Sequence, residues 1–158
     1  MDSLWALGIV HRDIKPENVI KLDTPERPFV LIDLGIAFSV IDTPLTVNPY
    51  QIPGTARYIA PEMLKFSFRK SLDYRSDLYT AGLTVYEYAS GIYPFAQIGD
   101  DLYKTFYRIE KEKAAPLKAH RPDLSDSFVL IIEQLLRKKP VLRPSNIEGL
   151  IRQLEAGT

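Results

Sequence analysis

From Ser76 onward the apolar residues fall at helical spacing. Leu78, Ala81, Gly82, Val85, Tyr86 and Ala89 recur at intervals of three and four, and Ser76 is placed to cap the helix they predict. Leu83 and Tyr88 put apolar groups on its other faces, and all-round apolarity predicts a buried, central helix. Leu102, Phe106 and Ile109 predict a more polar surface helix. Phe128, Ile131, Ile132, Leu135 and Leu136 predict another, capped by Ser125 or Asp126. Ile147, Leu150, Ile151 and Leu154 predict the last, opening after Pro144 with Ser145 as its cap. Ahead of these helices the pattern changes. Pro25, Pro28, Pro44, Pro49 and Pro53 break up the stretch from Thr24 to Gly54, which reads as turn and loop. Within it the run Phe29-Val30-Leu31-Ile32 predicts a short buried strand that delivers the Asp33 carboxylate at its end. No repeat, low-complexity tract or linker interrupts the chain. The expectation is one mainly α (α+β) domain over residues 1–158, with short strands in its first third.

Composition narrows the class. Twenty basic and twenty acidic residues cancel, which argues against a nucleic-acid partner. With no cysteine there is no disulfide framework and no thiolate zinc site. His11 and His120 are too few and too far apart for a histidine metal cluster. His11 is expected to pack beneath the loop it opens, and His120 to lie on the surface. No apolar run reaches membrane-spanning length and no signal peptide opens the chain, so a cytoplasmic protein without a membrane partner is expected. The nine tyrosines and seven phenylalanines read as packing rather than as a stacking surface. Lys111, Lys113 and Lys118, interspersed with Glu110 and Glu112, read as a solvated face.

The chemistry is concentrated in His11-Arg12-Asp13-Ile14-Lys15-Pro16-Glu17-Asn18. A carboxylate, an ammonium and an amide stand within six positions, from Asp13 to Asn18. Asp13 can accept the proton of an attacking hydroxyl, and Lys15 can neutralise charge on a phosphate in flight. Asn18 can offer its carbonyl oxygen to magnesium.

This octapeptide resembles the catalytic loop of the eukaryotic-type serine/threonine protein kinases. Fifteen residues beyond Asn18, Asp33-Leu34-Gly35 is similar to that family's magnesium-binding triplet, with Leu34 in place of Phe. Gly54-Thr55-Ala56-Arg57-Tyr58-Ile59-Ala60-Pro61-Glu62 resembles the end of its activation segment. Asp73-Tyr74-Arg75-Ser76-Asp77-Leu78-Tyr79 and Gly91-Ile92-Tyr93-Pro94-Phe95 resemble the two ends of its large central helix. The resemblance implies ATP and Mg2+ as cofactors and a protein substrate whose serine or threonine receives the γ-phosphate. It implies Asp13 as base, Lys15 as charge stabiliser on the nucleotide, and Asn18 and Asp33 as metal ligands. Thr55 would contact Asp13 and Lys15, Glu62 would pair with Arg143, and Asp77 would hold the catalytic loop from beneath. Arg12 would receive a regulatory phosphate by charge-assisted hydrogen bonds.

Two departures qualify the match. Gln51 stands near the usual phosphoacceptor position and cannot be phosphorylated, leaving Thr43, Thr46 and Tyr50 as the nearest hydroxyls. The family's Gly-rich loop, strand lysine and helix glutamate have no counterpart: no G-x-G-x-x-G occurs, and no lysine precedes His11. The expectation is therefore a carboxyl-terminal lobe, a truncated catalytic unit that a separate small lobe or partner chain would complete. The alternative is a catalytically incompetent, pseudokinase-like module that docks a partner.

Overall fold

The computed structural model describes residues 5–25, 28–33, 38–39, 57–65 and 72–156. Leu34, Thr43, Thr46, Tyr50 and Thr55 lie outside the described residues. Two short antiparallel ribbons form the first part. Strand β1 (Ile9–Val10) pairs with β4 (Phe38–Ser39), Ile9 opposite Ser39 and Val10 opposite Phe38. Strand β2 (Val19–Lys21) pairs with β3 (Phe29–Leu31), Val19 opposite Leu31 and Lys21 opposite Phe29. The remainder is helical: α1 (Tyr74–Ser90), α2 (Leu102–Lys111), α3 (Leu117–His120), α4 (Asp126–Leu135) and α5 (Ile147–Ala156).

Helix α1 is the axis of the core. Its Tyr79, Leu83 and Tyr86 are buried with Phe95, Ile109 of α2, Leu117 of α3 and Ile132 of α4. Gly82 explains how α4 approaches so closely, because a Cβ there would lie 2.8 Å from the Leu135 Cβ. The helix is less uniformly apolar in its burial than its sequence suggests. Ser76, Asp77, Thr80 and Thr84 are buried, while Tyr88 is exposed. The polar groups stay buried because each finds a hydrogen-bond partner, which removes most of the cost of leaving water.

Two helix starts differ from the predicted ones. Asp73 caps α1, its carboxylate accepting from the Arg75 N–H at 2.8 Å. Ser76 lies inside the first turn and donates instead to Glu62. At α5 it is Asn146, not Ser145, whose side chain accepts from the Gly149 N–H at 2.9 Å. In both, the Asx side chain directly before the first helical residue takes the role, since Asp, Asn and Ser cap about equally well and position decides between them. Ser125 does cap α4, and α1 ends on Gly91 in the left-handed region at φ 71°. The strand predicted as buried is only half so. Phe29 and Ile32 are exposed, and Val30 and Leu31 are intermediate, because β3 has a single partner strand and one uncovered side. His11 is buried and His120 exposed, as read.

Candidate functional site

The loop between β1 and β2 carries the octapeptide, and α1 runs beneath it. Asp77, Thr84 and Tyr88 are spaced seven and four apart and so share one face of that helix. They meet the loop in order. The Asp77 carboxylate accepts the His11 N–H at 2.8 Å and the Arg12 N–H at 2.9 Å. The Thr84 hydroxyl, which donates to the Thr80 carbonyl at 2.9 Å, also lies 3.4 Å from the Ile14 carbonyl, and the Tyr88 hydroxyl donates to that of Pro16 at 3.3 Å. Trp5 adds its indole N–H to the same Asp77 oxygen that His11 uses, at 2.9 Å. Burial pushes the Asp77 carboxyl above its ordinary range, and the three N–H donors pull the other way. Arg12 sits at φ 68°, a left-handed conformation disfavoured for a side chain with a Cβ. Two adjacent N–H groups converging on one carboxylate hold that turn.

On the loop itself three side chains meet. Lys15 Nζ donates to Asp13 Oδ2 at 2.8 Å, and Asn18 Nδ2 donates to the same oxygen and to the Asp13 carbonyl, each at 2.8 Å. Asp13 Oδ1 receives none of these bonds, so one carboxylate oxygen is anchored and its twin faces elsewhere. Because its nitrogen is committed to Asp13, Asn18 turns its carbonyl oxygen away from that residue. Pro16–Asn18 form a single 3-10 turn that sets the spacing between Lys15 and Asn18. The β2–β3 hairpin then returns the chain to this point. The Ile32 N–H donates to the Asn18 carbonyl at 2.9 Å, so Asp33 leaves the ribbon beside Asn18. Asp33 is exposed and adopts φ 67°, the second left-handed non-glycine residue of the described chain. Among the described residues no three His, Cys, Asp or Glu side chains gather to hold a metal ion. The donors on hand, one carboxylate and one carboxamide oxygen, suit a magnesium ion that keeps water and phosphate oxygens as its other ligands.

Glu62 and Arg143 form a separate, buried cluster. The guanidinium reaches both Glu62 oxygens, at 2.7 and 2.8 Å. Its other three N–H bonds go to the carbonyls of Arg137, Arg75 and Lys138, at 2.8, 2.8 and 3.1 Å. All five donors are therefore used. Ser76 completes the Glu62 shell with a hydroxyl donated at 2.7 Å, and the Tyr79 ring lies 4.7 Å beneath the guanidinium carbon. Nearby, Tyr58 and Arg57 both bond the Glu87 carboxylate.

Of the residues singled out from the sequence, Asp13, Lys15 and Asn18 meet on the loop, Asp77 holds the loop backbone, Glu62 pairs with Arg143 in a separate cluster, and Asp33 follows the ribbon next to Asn18. Sequence reading passed over Trp5, Ser76, Thr84 and Tyr88 as contributors. The recurrence of Asp77, Thr84 and Tyr88 on one helical face was the signal available for two of them, hidden because an apolar stripe draws attention before a polar one.

A long central helix under a catalytic-type loop, with two small ribbons and a ring of shorter helices, is the large-lobe architecture of the protein kinase fold. The twitchin kinase region of C. elegans has the same fold, with a TM-score of 0.67 and 24% identity over 94% of this chain and 24% of that one. The protein kinase domain family matches residues 1–154, and the chain belongs to that family. Its similar relatives are serine/threonine kinases. A probable serine/threonine-protein kinase of Clostridium perfringens is 34% identical over 148 residues, 94% of this chain and 20% of that protein. Serine/threonine-protein kinase PknA of Mycobacterium tuberculosis is 38% identical over 138 residues, 87% of this chain and 30% of that protein. Pkn3 of Myxococcus xanthus is 33% identical over 163 residues, 99% of this chain and 29% of that protein. The chain therefore spans between 20% and 30% of these three relatives.

Proposed function

We propose that this chain is the catalytic lobe of a serine/threonine protein kinase, transferring the γ-phosphate of ATP to hydroxyls of a protein substrate in the cytoplasm. The observation that carries the reading is the asymmetry of Asp13. Lys15 and Asn18 both grip Oδ2, which fixes the carboxylate and leaves Oδ1 to take the proton of an incoming hydroxyl. Lys15, held at 2.8 Å from that carboxylate, sets a positive charge where the transferred phosphate would pass. The Asn18 carbonyl oxygen and the Asp33 carboxylate would hold Mg2+, which neutralises phosphate charge when bound. The left-handed turn at Arg12, clamped by Asp77, aims Asp13 away from the helix floor. Such chemistry depends on positioning more than on covalent steps, so a rigid loop supported from α1 is what it needs. Arg12 is the residue we assign to receive an activating phosphate, and Thr55 to contact Asp13 and Lys15. The domain is taken as 1–158, one partial kinase unit.

A second reading draws on one surface. Ile20, Leu22, Val30 and Ile32 share a face of the β2–β3 hairpin by register, and three of them are exposed at 42%, 38% and 39%. Large apolar side chains left in water beside the Asn18–Asp33 end suit a covering partner, a separate small lobe or another chain. In that reading the chain is a docking module, and phosphate transfer waits on, or is absent without, the cover. The test is incorporation of labelled phosphate from magnesium-ATP into a protein substrate, native chain against Asp13→Asn. Incorporation that disappears in the variant supports the enzyme. Equal background in both leaves the docking module alone.

A further inference from the structure

A cavity of about 410 Å3 lies on the opposite flank of α1 from the catalytic-type loop, between the α2–α3 connection and the turn that follows α4. Its lining is charged in one sense. Lys113, Arg137, Lys138 and Lys139 stand around it against a single acid, Glu133, in a chain whose net charge is zero. Lys138 is spoken for: its ammonium donates to the Ile109 carbonyl at 2.6 Å and to Tyr79 at 3.2 Å, and lies 3.7 Å above the Phe95 ring. The other three make no side-chain hydrogen bond or ion pair among the described residues. Elsewhere, Arg57, Arg75, Arg108, Lys111, Lys118 and Arg121 each have a carboxylate partner, while Lys21, Lys65, Lys104 and Arg152, which have none among the described residues, lie outside the cavity. Three cations without a counter-charge of their own, gathered at one concave place, favour an anionic occupant.

The floor and frame add to this. Tyr86, Pro116, Leu136 and Leu142 give the cavity an apolar base. The backbone that presents Arg137 and Lys138 is pinned, because Arg143 bonds both of their carbonyls at 2.8 and 3.1 Å. Tyr86 pins the facing wall through the Ala115 carbonyl at 3.0 Å. Lys113, Arg137 and Lys139 are exposed and spread along two chain segments. Small anions are held by convergent, buried donors. A row of separated cations over an apolar hollow fits a polymer that carries several carboxylates and an apolar side chain between them.

We propose that this cavity docks an acidic peptide segment of a protein partner, with carboxylates on Lys113, Arg137 and Lys139 and an apolar side chain against Pro116 and Leu142. The inference goes beyond phosphoryl transfer and does not rest on it, since its readout is binding. The experiment is fluorescence anisotropy with the full chain and a labelled peptide in which glutamates flank a leucine, beside the same peptide with glutamines. The acidic peptide should bind, and more weakly as salt is raised. The double variant Arg137→Glu/Lys139→Glu should weaken it by about tenfold or more, whereas Lys104→Glu/Arg152→Glu, the same charge change elsewhere, should stay within about twofold. Matching urea midpoints would establish that both double variants keep the fold. The proposal is overturned if the acidic peptide does not bind, if the glutamine peptide binds equally, or if both double variants weaken it alike. Competition by inorganic phosphate over the same concentration range as unlabelled peptide would also overturn it, reassigning the cavity to a small anion.

Discussion

Asp13–Lys15 and Glu62–Arg143 are both short ion pairs, at 2.8 and 2.7 Å, yet their surroundings differ. In the first, the side chains keep 14% and 12% of their surface and both donors, Lys15 and Asn18, share one carboxylate oxygen; in the second they keep 5% and 0% and all five guanidinium donors are used. A buried pair must be fully hydrogen-bonded to offset desolvation, and that completeness leaves it nothing with which to act on a substrate. A pair at the surface can leave an acceptor open. The comparison teaches that incompleteness of hydrogen bonding, more than the presence of charge, separates the proposed site from the clasp.

The sharpest way to break that contrast is Asp13→Asn. If the reading is right, phosphate transfer falls by about 10²–10⁴-fold, while stability changes by no more than about 1 kcal/mol. Radiolabel incorporation and urea unfolding measure the two effects separately, and a variant that unfolds without losing rate would reverse the roles.

Arg143→Met should do the opposite. It leaves the Glu62 carboxylate buried without a counter-charge and should cost about 3–5 kcal/mol in chemical denaturation. An unchanged urea midpoint would mean the clasp is ornamental.

Asp77→Ala lies between the regions. It orphans the N–H groups of His11 and Arg12 and the Trp5 indole, at about 1–3 kcal/mol for a fully buried one and less where water can reach. Both unfolding and phosphate transfer should suffer, because the left-handed turn at Arg12 loses its clamp. A loss of stability with full activity would detach Asp77 from the loop's geometry.

The smallest effect is a pH slope beside the clasp. Burial first, and then the neighbouring Arg143, bring the Lys138 amine down to about 7, against the pull of Glu112. In the unfolded chain it returns to the ordinary lysine value. Between those two values the unfolded chain holds the extra proton, so stability rises with pH above about 7 as the buried charge is relieved. Urea midpoints at about pH 7 and about pH 9 should therefore climb more in the native chain than in Lys138→Met, and parallel shifts would remove Lys138 as the cause.

How much was legible beforehand varies with the kind of interaction. Helices α1, α2, α4 and α5 followed from apolar spacing, because burial of one stripe is a local pattern with a fixed period, whereas the single turn α3 (Leu117–His120) is too short to show one. Cap positions slipped at α1 and α5, where Asp73 and Asn146 took the role read for Ser76 and Ser145. Local signals tolerate such shifts because any nearby Asx or Ser side chain can fill them. The half-exposed β3 strand shows the limit of reading apolar runs, since a run reveals what would be buried and is silent on what is there to bury it.

The amino-acid order alone determined the family, the octapeptide with its three chemical groups, and the four longer helices, all of which depend on residues close together in the chain. Only the folded structure decided that Lys15 and Asn18 share one Asp13 oxygen, that Ser76 serves Glu62, and that Asp77 and Tyr88 hold the loop from one face of α1. It also decided that Lys113 and Lys139 share a cavity. These depend on contacts between distant segments, and their geometry is set by how α1 packs against everything around it, a quantity that no local pattern of residues contains.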